Sequence, residues 1–375
     1  MRIPFFDLKL QYAAIKGEVR SAIDEVCDNQ QFILGPKVRR LEDEIARYCG
    51  ARYAVGVSSG TDALLLALMA LGIGPGDEVI TTPYTFIATA GSIARSGARP
   101  VFVDIDPSRF TIHPKLIADR ITERTRAILP VHLFGRCTEM EPILALAARH
   151  EIAVIEDAAQ ALGAEDRLGR RTGHMGVLGC FSFYPTKNLG GFGDGGMVIT
   201  SDSSLASTLV ALRNHGSSTK YRHSLIGGNF RLDELQAATL TVKLKYLDRW
   251  TEQRINNAAR YDALFRARGL EYRIQLPELP KNERHVFNQY VIRAPRRDEL
   301  SQFLESQGIG HDIYYPLPLH LQACFEPLGY KEGDMPASEQ AAREALALPI
   351  YPELTQPMQE CVVDAFQAFY RERSS

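Results

Sequence analysis

With 375 residues, 45% of them hydrophobic and 23% charged, the chain has room for two globular domains and enough apolar content for both cores. A formal net charge of -2, with no long basic run, argues against a nucleic-acid partner. No stretch reaches the ~18 apolar residues that a membrane helix needs.

The opening MRIPFFDLKLQYAAIK lacks the apolar core and small-residue cleavage site of a secretory signal. Seven short apolar runs follow: 53–59, 76–86, 99–106, 126–135, 151–160, 179–185 and 195–202. The first five alternate with helical patterns such as TDALLLALMALGI (61–73) and TEMEPILALAARHE (138–151). Thr138 and Glu141 stand at capping-box spacing at the start of the second pattern. Strands alternating with helices predict an α/β fold whose mostly parallel sheet is covered on both faces. From 231 to 269 the pattern is helical, as one long helix or two. Beyond it, HVFNQYVIRA and HDIYYP read as strands, with RRDELSQFLESQGI and PMQECVVDAFQAFYRER as helices. A large domain over 1–245 and a smaller α+β domain over 246–375 are expected. The six cysteines are scattered without a CxxC pair, as in a cytoplasmic protein with reduced thiols.

Three stretches could carry chemistry. In SSGTDALLLAL (58–68) a helix begins just after a strand, so its free N–H groups and the hydroxyls of Ser59 and Thr61 suit a phosphate. A plain N-cap would use the same residue types. In AVIEDAAQ (153–160), Asp157 ends a buried strand, where open α/β sheets bind ligands. It could hold a protonated ring nitrogen or cap the next helix. Glu156 faces the opposite way by strand alternation. In FSFYPTKNLGGFGDGG (181–196), Lys187 is the only cation in an aromatic, glycine-rich stretch. It could be solvated, ion-paired, part of a phosphate loop, or a neutral amine that attacks a carbonyl. Gly191, Gly193 and Gly196 match GxGxxG, but a strand rather than a helix follows, which excludes a nicotinamide site. Together the lysine, the acid and the phosphate loop meet the needs of pyridoxal phosphate. Phe86, after another strand, could face the ring or belong to the core.

The chain resembles the DegT-type family of pyridoxal-phosphate aminotransferases, which make amino sugars on nucleotide carriers. The resemblance rests on PFFDLKLQYAAIKGEV, FILGPKVRRLEDEIARYCG, SSGTDALLLAL, GPGDEVITTPYTFIATA, IEDAAQALGA, FSFYPTKNLGGFGDGG, NHGSSTKY, GGNFRLDELQAA, YYPLPLHLQ and LALPIYPEL. It implies the aspartate-aminotransferase-type fold (fold type I), with a seven-stranded large domain and a homodimer whose active sites lie at the interface. It also implies a covalent Schiff-base role for Lys187, which then moves the proton between cofactor and substrate carbons. By the same motifs, Asp157 pairs with the pyridine nitrogen, Gln160 lies near the ring hydroxyl, and Phe86 stacks on the ring. Gly60, Thr61 and Ser182 hold the phosphate with Asn229 of the partner subunit, and Arg231 faces the substrate. The implied reaction is ping-pong: L-glutamate leaves as 2-oxoglutarate, and a nucleotide-linked keto sugar takes the amine. The segment IYYPLPLHLQACF resembles relatives acting at C3 of a dTDP- or UDP-linked sugar more than those acting at C4. That places Tyr315 and His320 near the sugar or its diphosphate, or on an ordinary Pro-rich domain edge. His132, in PVHLFG, could support the site from behind its contacting residues, but reads better as a satisfied strand-end histidine. A sugar dehydratase of the same fold replaces the lysine, typically by histidine, so Lys187 disfavours that reading. A non-catalytic regulator is disfavoured by the intact motifs.

Overall fold

The computed structural model describes residues 2–219, 221–278 and 282–371. All seven apolar runs become strands of one sheet: β1 (Tyr53–Val57), β2 (Glu78–Thr81), β3 (Arg99–Phe102), β4 (Thr125–Ile128), β5 (Ala153–Asp157), β6 (Leu178–Ser182) and β7 (Gly196–Thr200). Their order is β1-β7-β6-β5-β4-β2-β3. Neighbours run parallel except at β7, which is antiparallel to both β1 and β6. The β6–β7 link has no crossover helix, so the chain turns straight back. Residues 183–195, with Lys187, therefore stay at the C-terminal edge of the sheet. Asp157 at the end of β5 and the exit of β1 share that edge, where ligands bind in such sheets.

Six helices flank this part of the chain: α1 (Leu8–Asn29), α2 (Pro36–Cys49), α3 (Gly60–Ala70), α4 (Ala88–Ser96), α5 (Met140–Arg149) and α6 (Ser203–Leu212). Strand alternation sorts side chains to two faces. Cys180 and Val198 join Leu64, Leu66 and Leu68 of α3 in one cluster. Phe181, Met197 and Ile199 join Leu41 and Ile45 of α2 in another. Helix α3 is buried along Ala63–Leu68, which explains its near-continuous apolar sequence.

The capping box at Thr138 does not form. Helix α5 starts at Met140 after Glu139, and no side chain caps it. The Thr138 hydroxyl instead donates to Val131 O (2.8 Å), and its N–H donates to His132 Nδ1 (3.0 Å). Loop partners six and seven positions earlier outcompete the cap.

The short hairpin β8 (Ser217–Thr219) and β9 (Arg222–His223) precedes α7 (Glu234–Leu244) and α8 (Leu247–Ala267), so the helical stretch from 231 is two helices. The expected division at 245/246 falls at their junction. A second core surrounds α8: Tyr261, Phe265, Ile292, Leu346, Leu348, Val362 and Phe366 pack together, joined by Ile3 from the other end of the chain. It includes β10 (Tyr290–Arg293), α9 (Arg297–Ser306), β11 (Ala345–Leu348) and α11 (Gln356–Arg371), whereas α10 (Pro336–Glu344) packs through Ala341 and Ala342 against Tyr84 and Phe134. The terminal helix expected to reach Arg373 is followed to Arg371, and the rest lies outside the described residues. The strand expected at HDIYYP shrinks to a single antiparallel bridge from Asp312 to Ala347 of β11, which also pairs with β10. Tyr84 is the reason. Its hydroxyl donates to Tyr314 O (2.7 Å) and accepts from Tyr315 N (3.1 Å), using the backbone groups a sheet neighbour would need. Among the described residues no helix is long and apolar enough to cross a membrane.

Candidate active site

At the C-terminal edge of the sheet lies a cavity of about 600 Å³, within the range of small-molecule sites. Its lining includes Gly60, Thr61, Phe86, Asp157, Gln160, Ser182, Lys187 and Tyr315. Eight candidate residues from distant segments thus share one space. Asn229, Arg231 and His320 are not among its lining residues.

The strand end decides what Asp157 can do. Asp157 and Glu156 point to opposite faces of β5. Glu156 turns into the protein and accepts from Gly173 N (2.7 Å) and Gly176 N (2.6 Å), with His132 Nε2 at 2.8 Å. His132 is fully buried and both ring nitrogens are bonded, as expected of a satisfied strand-end histidine. Asp157 turns into the cavity, where Thr89 Oγ1 donates to Oδ2 (2.8 Å) and Ala159 N donates to Oδ1 (3.1 Å). Burial raises its pKa, and these two bonds and the nearby Lys187 charge oppose that shift. A cationic N–H donor would complete its environment.

Lys187 sits in a tightly folded return loop. Its N–H donates to Tyr184 O (2.9 Å), Gly191 N donates to Phe183 O (2.7 Å), and Phe183 N donates to Gly195 O (2.8 Å). A Cβ on Gly190 would come within 2.1 Å of Pro185 O, so only glycine permits this closure. Helix α7 grips the loop from outside, with Gln236 Oε1 accepting from Phe192 N (2.8 Å) and Lys243 donating to Gly190 O. Burial pulls the Lys187 amine down to about 8, opposed by the Asp157 carboxylate. Burial brings Lys243 to about 8 as well, so a low pKa alone does not single out the reactive amine. The cavity does, because Lys187 lines it beside Asp157.

The phosphate loop is built by the start of α3. Ser59 Oγ caps Asp62 N (3.0 Å), and Ala63 N bonds Ser59 O (2.9 Å). The N–H groups of Gly60 and Thr61 precede these bonds and face an anion site at the positive helix end. Ser182, at the end of β6, borders the same corner, so close that a Cβ on Gly60 would lie 2.7 Å from Ser182 Cβ. Gly60→Ala should therefore overpack the cradle and cost about 1–3 kcal/mol. We expect pyridoxal phosphate to bind ~10-fold or more weakly, read by titrating protein fluorescence with the cofactor.

On the far wall, Gln160 Oε1 accepts from Phe134 N (2.7 Å), and its Nε2 donates to Tyr315 OH (3.2 Å). Phe86 stays 55% exposed at the rim with its ring centroid 6.3 Å from that of Tyr315, leaving a face free for a flat ligand. The residues present fit pyridoxal phosphate: an anion cradle, a buried carboxylate lacking a cationic donor, and a lysine with a depressed pKa.

One expectation changes. His320 is corrected from a sugar contact to a buried group, 1% exposed, with Nε2 3.1 Å from Glu339 Oε1. The turn carrying it packs into the Phe102–Phe325 cluster through Leu319, which draws it away from the cavity. Asn229 is exposed on the strand-like segment after α6, and Arg231 Nη1 donates to Asn214 Oδ1 (2.8 Å). Sequence reasoning missed Thr89, which bonds Asp157 across 68 positions, and Gln289, which also lines the cavity. Neither lies in a stretch singled out for chemistry.

Residues 13–367 match the model of the DegT/DnrJ/EryC1/StrS aminotransferase family. A Geobacillus stearothermophilus protein named pleiotropic regulatory protein is 52% identical over 99% of both chains. The dTDP-3-amino-3,4,6-trideoxy-alpha-D-glucose transaminase of Streptomyces venezuelae is 46% identical, covering 97% of this chain and 95% of its own. The UDP-N-acetyl-3-dehydro-alpha-D-glucosamine 3-aminotransferase of Acidithiobacillus ferrooxidans is 45% identical over 94% of each. Among solved structures, S. venezuelae DesV with a ketimine intermediate superposes with a TM-score of 0.95 at 44% identity over 98% of both chains. A Bacillus subtilis protein, NtdA, solved with bound PMP, gives 0.88 at 33%, covering 95% of this chain and 82% of its own.

Proposed function

Because this chain belongs to the DegT/DnrJ/EryC1/StrS aminotransferase family, we propose that it moves an amino group from L-glutamate to the C3 keto group of a dTDP- or UDP-linked sugar. Its cofactor is pyridoxal 5′-phosphate, which when bound supplies a ring that draws electrons from the reacting carbon. Lys187 and Asp157 in one buried cavity carry the reading.

In this scheme Lys187 anchors the cofactor and then acts as a neutral base, as its lowered pKa favours. It takes the Cα proton of glutamate and, in the second half-reaction, serves the proton transfer at sugar C3. Asp157 stays ionised and pairs with the ring nitrogen, while Thr89 and Ala159 fix its orientation. Gln160 lies at the ring hydroxyl, and Phe86 covers the ring. Gly60, Thr61 and Ser182 hold the phosphate, completed by Asn229 across a homodimer interface. Arg231 and Tyr315 face the substrate. Exposed Phe86, Tyr184, Phe192 and Ile226 supply apolar surface for that interface. The division at 245/246 is supported by the separate core around α8. A cytoplasmic location is supported by free cysteines throughout the described residues.

The regiochemistry draws on the relatives that carry 3-amino and 3-dehydro sugars in their names. Its test mixes the pyridoxamine-loaded protein with 3-keto and 4-keto nucleotide sugars. Amination of the 3-keto compounds is expected. Turnover of the 4-keto compounds alone would overturn the C3 assignment.

A further inference from the structure

Lys243, in the last turn of α7, is 3% exposed, and no carboxylate offsets the burial that lowers its pKa to about 8. The buried Lys187 and Arg254 each have an opposing acid, Asp157 and Glu353. The Lys243 amine has one hydrogen-bond partner among the described residues, the carbonyl of Gly190, three positions past Lys187. That carbonyl has no other donor among the described residues. Position 190 must be glycine for the loop to close, so it has no side chain with which to hold its own place. Gln236, seven positions before Lys243 and on the same face of α7, holds Phe192 N. Helix α7 is itself fixed: Glu234 accepts from Lys37 N (2.9 Å) and Val38 N (2.8 Å) of α2, and Ala237 and Leu240 pack with Leu189 of the loop. On the loop's other side, Asn188 Nδ2 donates to Val286 O (3.0 Å), and its Oδ1 accepts from Asn288 Nδ2 (2.7 Å). The chain carrying Lys187 is thus tied down at 188 and again at 190.

A buried amine without a counter-charge costs stability that an apolar side chain of similar length would not. What it supplies instead is a donor at a fixed place. Attack of an amine on a carbonyl needs the reacting atoms about 3–3.5 Å apart and aligned, and a misplacement of ~1 Å can cost ~10²-fold. In capture, the Lys187 nitrogen bonds the aldehyde carbon of pyridoxal phosphate, and the aldehyde oxygen leaves as water with both amine protons. We infer that Lys243 is a positioning residue for this step: by holding Gly190 O from α7, it fixes the loop so that the Lys187 amine reaches that carbon. This inference rests on the reading of Lys187 as the anchor.

The test follows capture of pyridoxal phosphate by the full-length, cofactor-free protein over a range of cofactor concentrations, at one pH for all variants. The plateau rate constant reports the reach of the Lys187 amine. The half-saturating concentration reports the phosphate cradle, and Lys243 is not among the residues lining that cavity. Lys243→Met, similar in length but without a donor, should lower the plateau ~10- to 100-fold and leave the half-saturating concentration close to that of wild type. Lys243→Leu supplies the same comparison if the methionine variant fails to fold. Lys243→Gln, one atom shorter but still a donor, should recover part of the plateau. A merely structural role would disturb the cradle and the amine together. An unchanged plateau in the donor-free variant, or a plateau that falls only as the half-saturating concentration rises, would overturn the inference. Capture kept by Lys187→Ala but lost in Lys243→Met would make Lys243 the anchor itself and overturn both readings. Failure of wild type to capture the cofactor would likewise overturn the reading of Lys187 and this inference together.

Discussion

Lys187→Ala should abolish covalent capture of pyridoxal phosphate while leaving the fold intact. The amine is a burden to the empty fold, since burial lowers its pKa to about 8 and the Asp157 carboxylate only partly offsets this. Alanine removes that burden together with the nucleophile and the base. A positioned base is worth ~10²- to 10⁴-fold in rate, and loss of the covalent anchor adds to it, so amino transfer should fall by at least ~10³-fold. The direct readout is mass: after borohydride treatment, wild type gains one reduced cofactor and the variant gains none. Only the neutral amine attacks, so the wild-type rate of capture should rise through about pH 8 and level off above it. A variant that still gains the cofactor would move the anchor elsewhere, with Lys243, the other lysine pushed to about 8, the first to examine.

Asp157→Asn should leave the cofactor bound but slow both half-reactions. The substitution keeps the size of the side chain and lets its oxygen still accept from Thr89 or Ala159. What it removes is the negative charge facing a protonated ring nitrogen. Preorganised charges of this kind are worth ~10²- to 10³-fold, and a loss of that order is expected when the glutamate half-reaction is followed spectrally. A second readout is independent of turnover. The Asp157 charge raises the Lys187 pKa against the effect of burial. Its removal lets burial act unopposed, so the midpoint of cofactor capture should move to lower pH than in wild type. An unchanged midpoint together with undiminished rates would remove Asp157 from the ring nitrogen.

The α/β architecture was legible because its signals are local. Seven apolar runs of strand length became the seven strands, since burial on both faces demands continuous hydrophobicity. The candidate cavity was partly legible for a related reason: strand ends and helix starts are visible in sequence, and ligands gather at that edge. Lys187, Asp157 and the Gly60–Thr61 turn all sit at such ends. Sequence periodicity does not carry the competition among alternative hydrogen-bond partners. Thr138 looked like a cap until Val131 and His132 claimed it. HDIYYP looked like a strand until the Tyr84 hydroxyl took its backbone groups. His320 looked like a sugar contact, but Glu339 lies beside it in the interior. The sequence by itself determined the sheet and the chemistry-bearing turns, because hydrophobic period, glycine and helix starts act over a few residues. Only the tertiary structure decided which polar groups are spoken for and which, like Asp157, are left open to a ligand, because hydrogen bonds also join segments as far apart as Tyr84 and Tyr315.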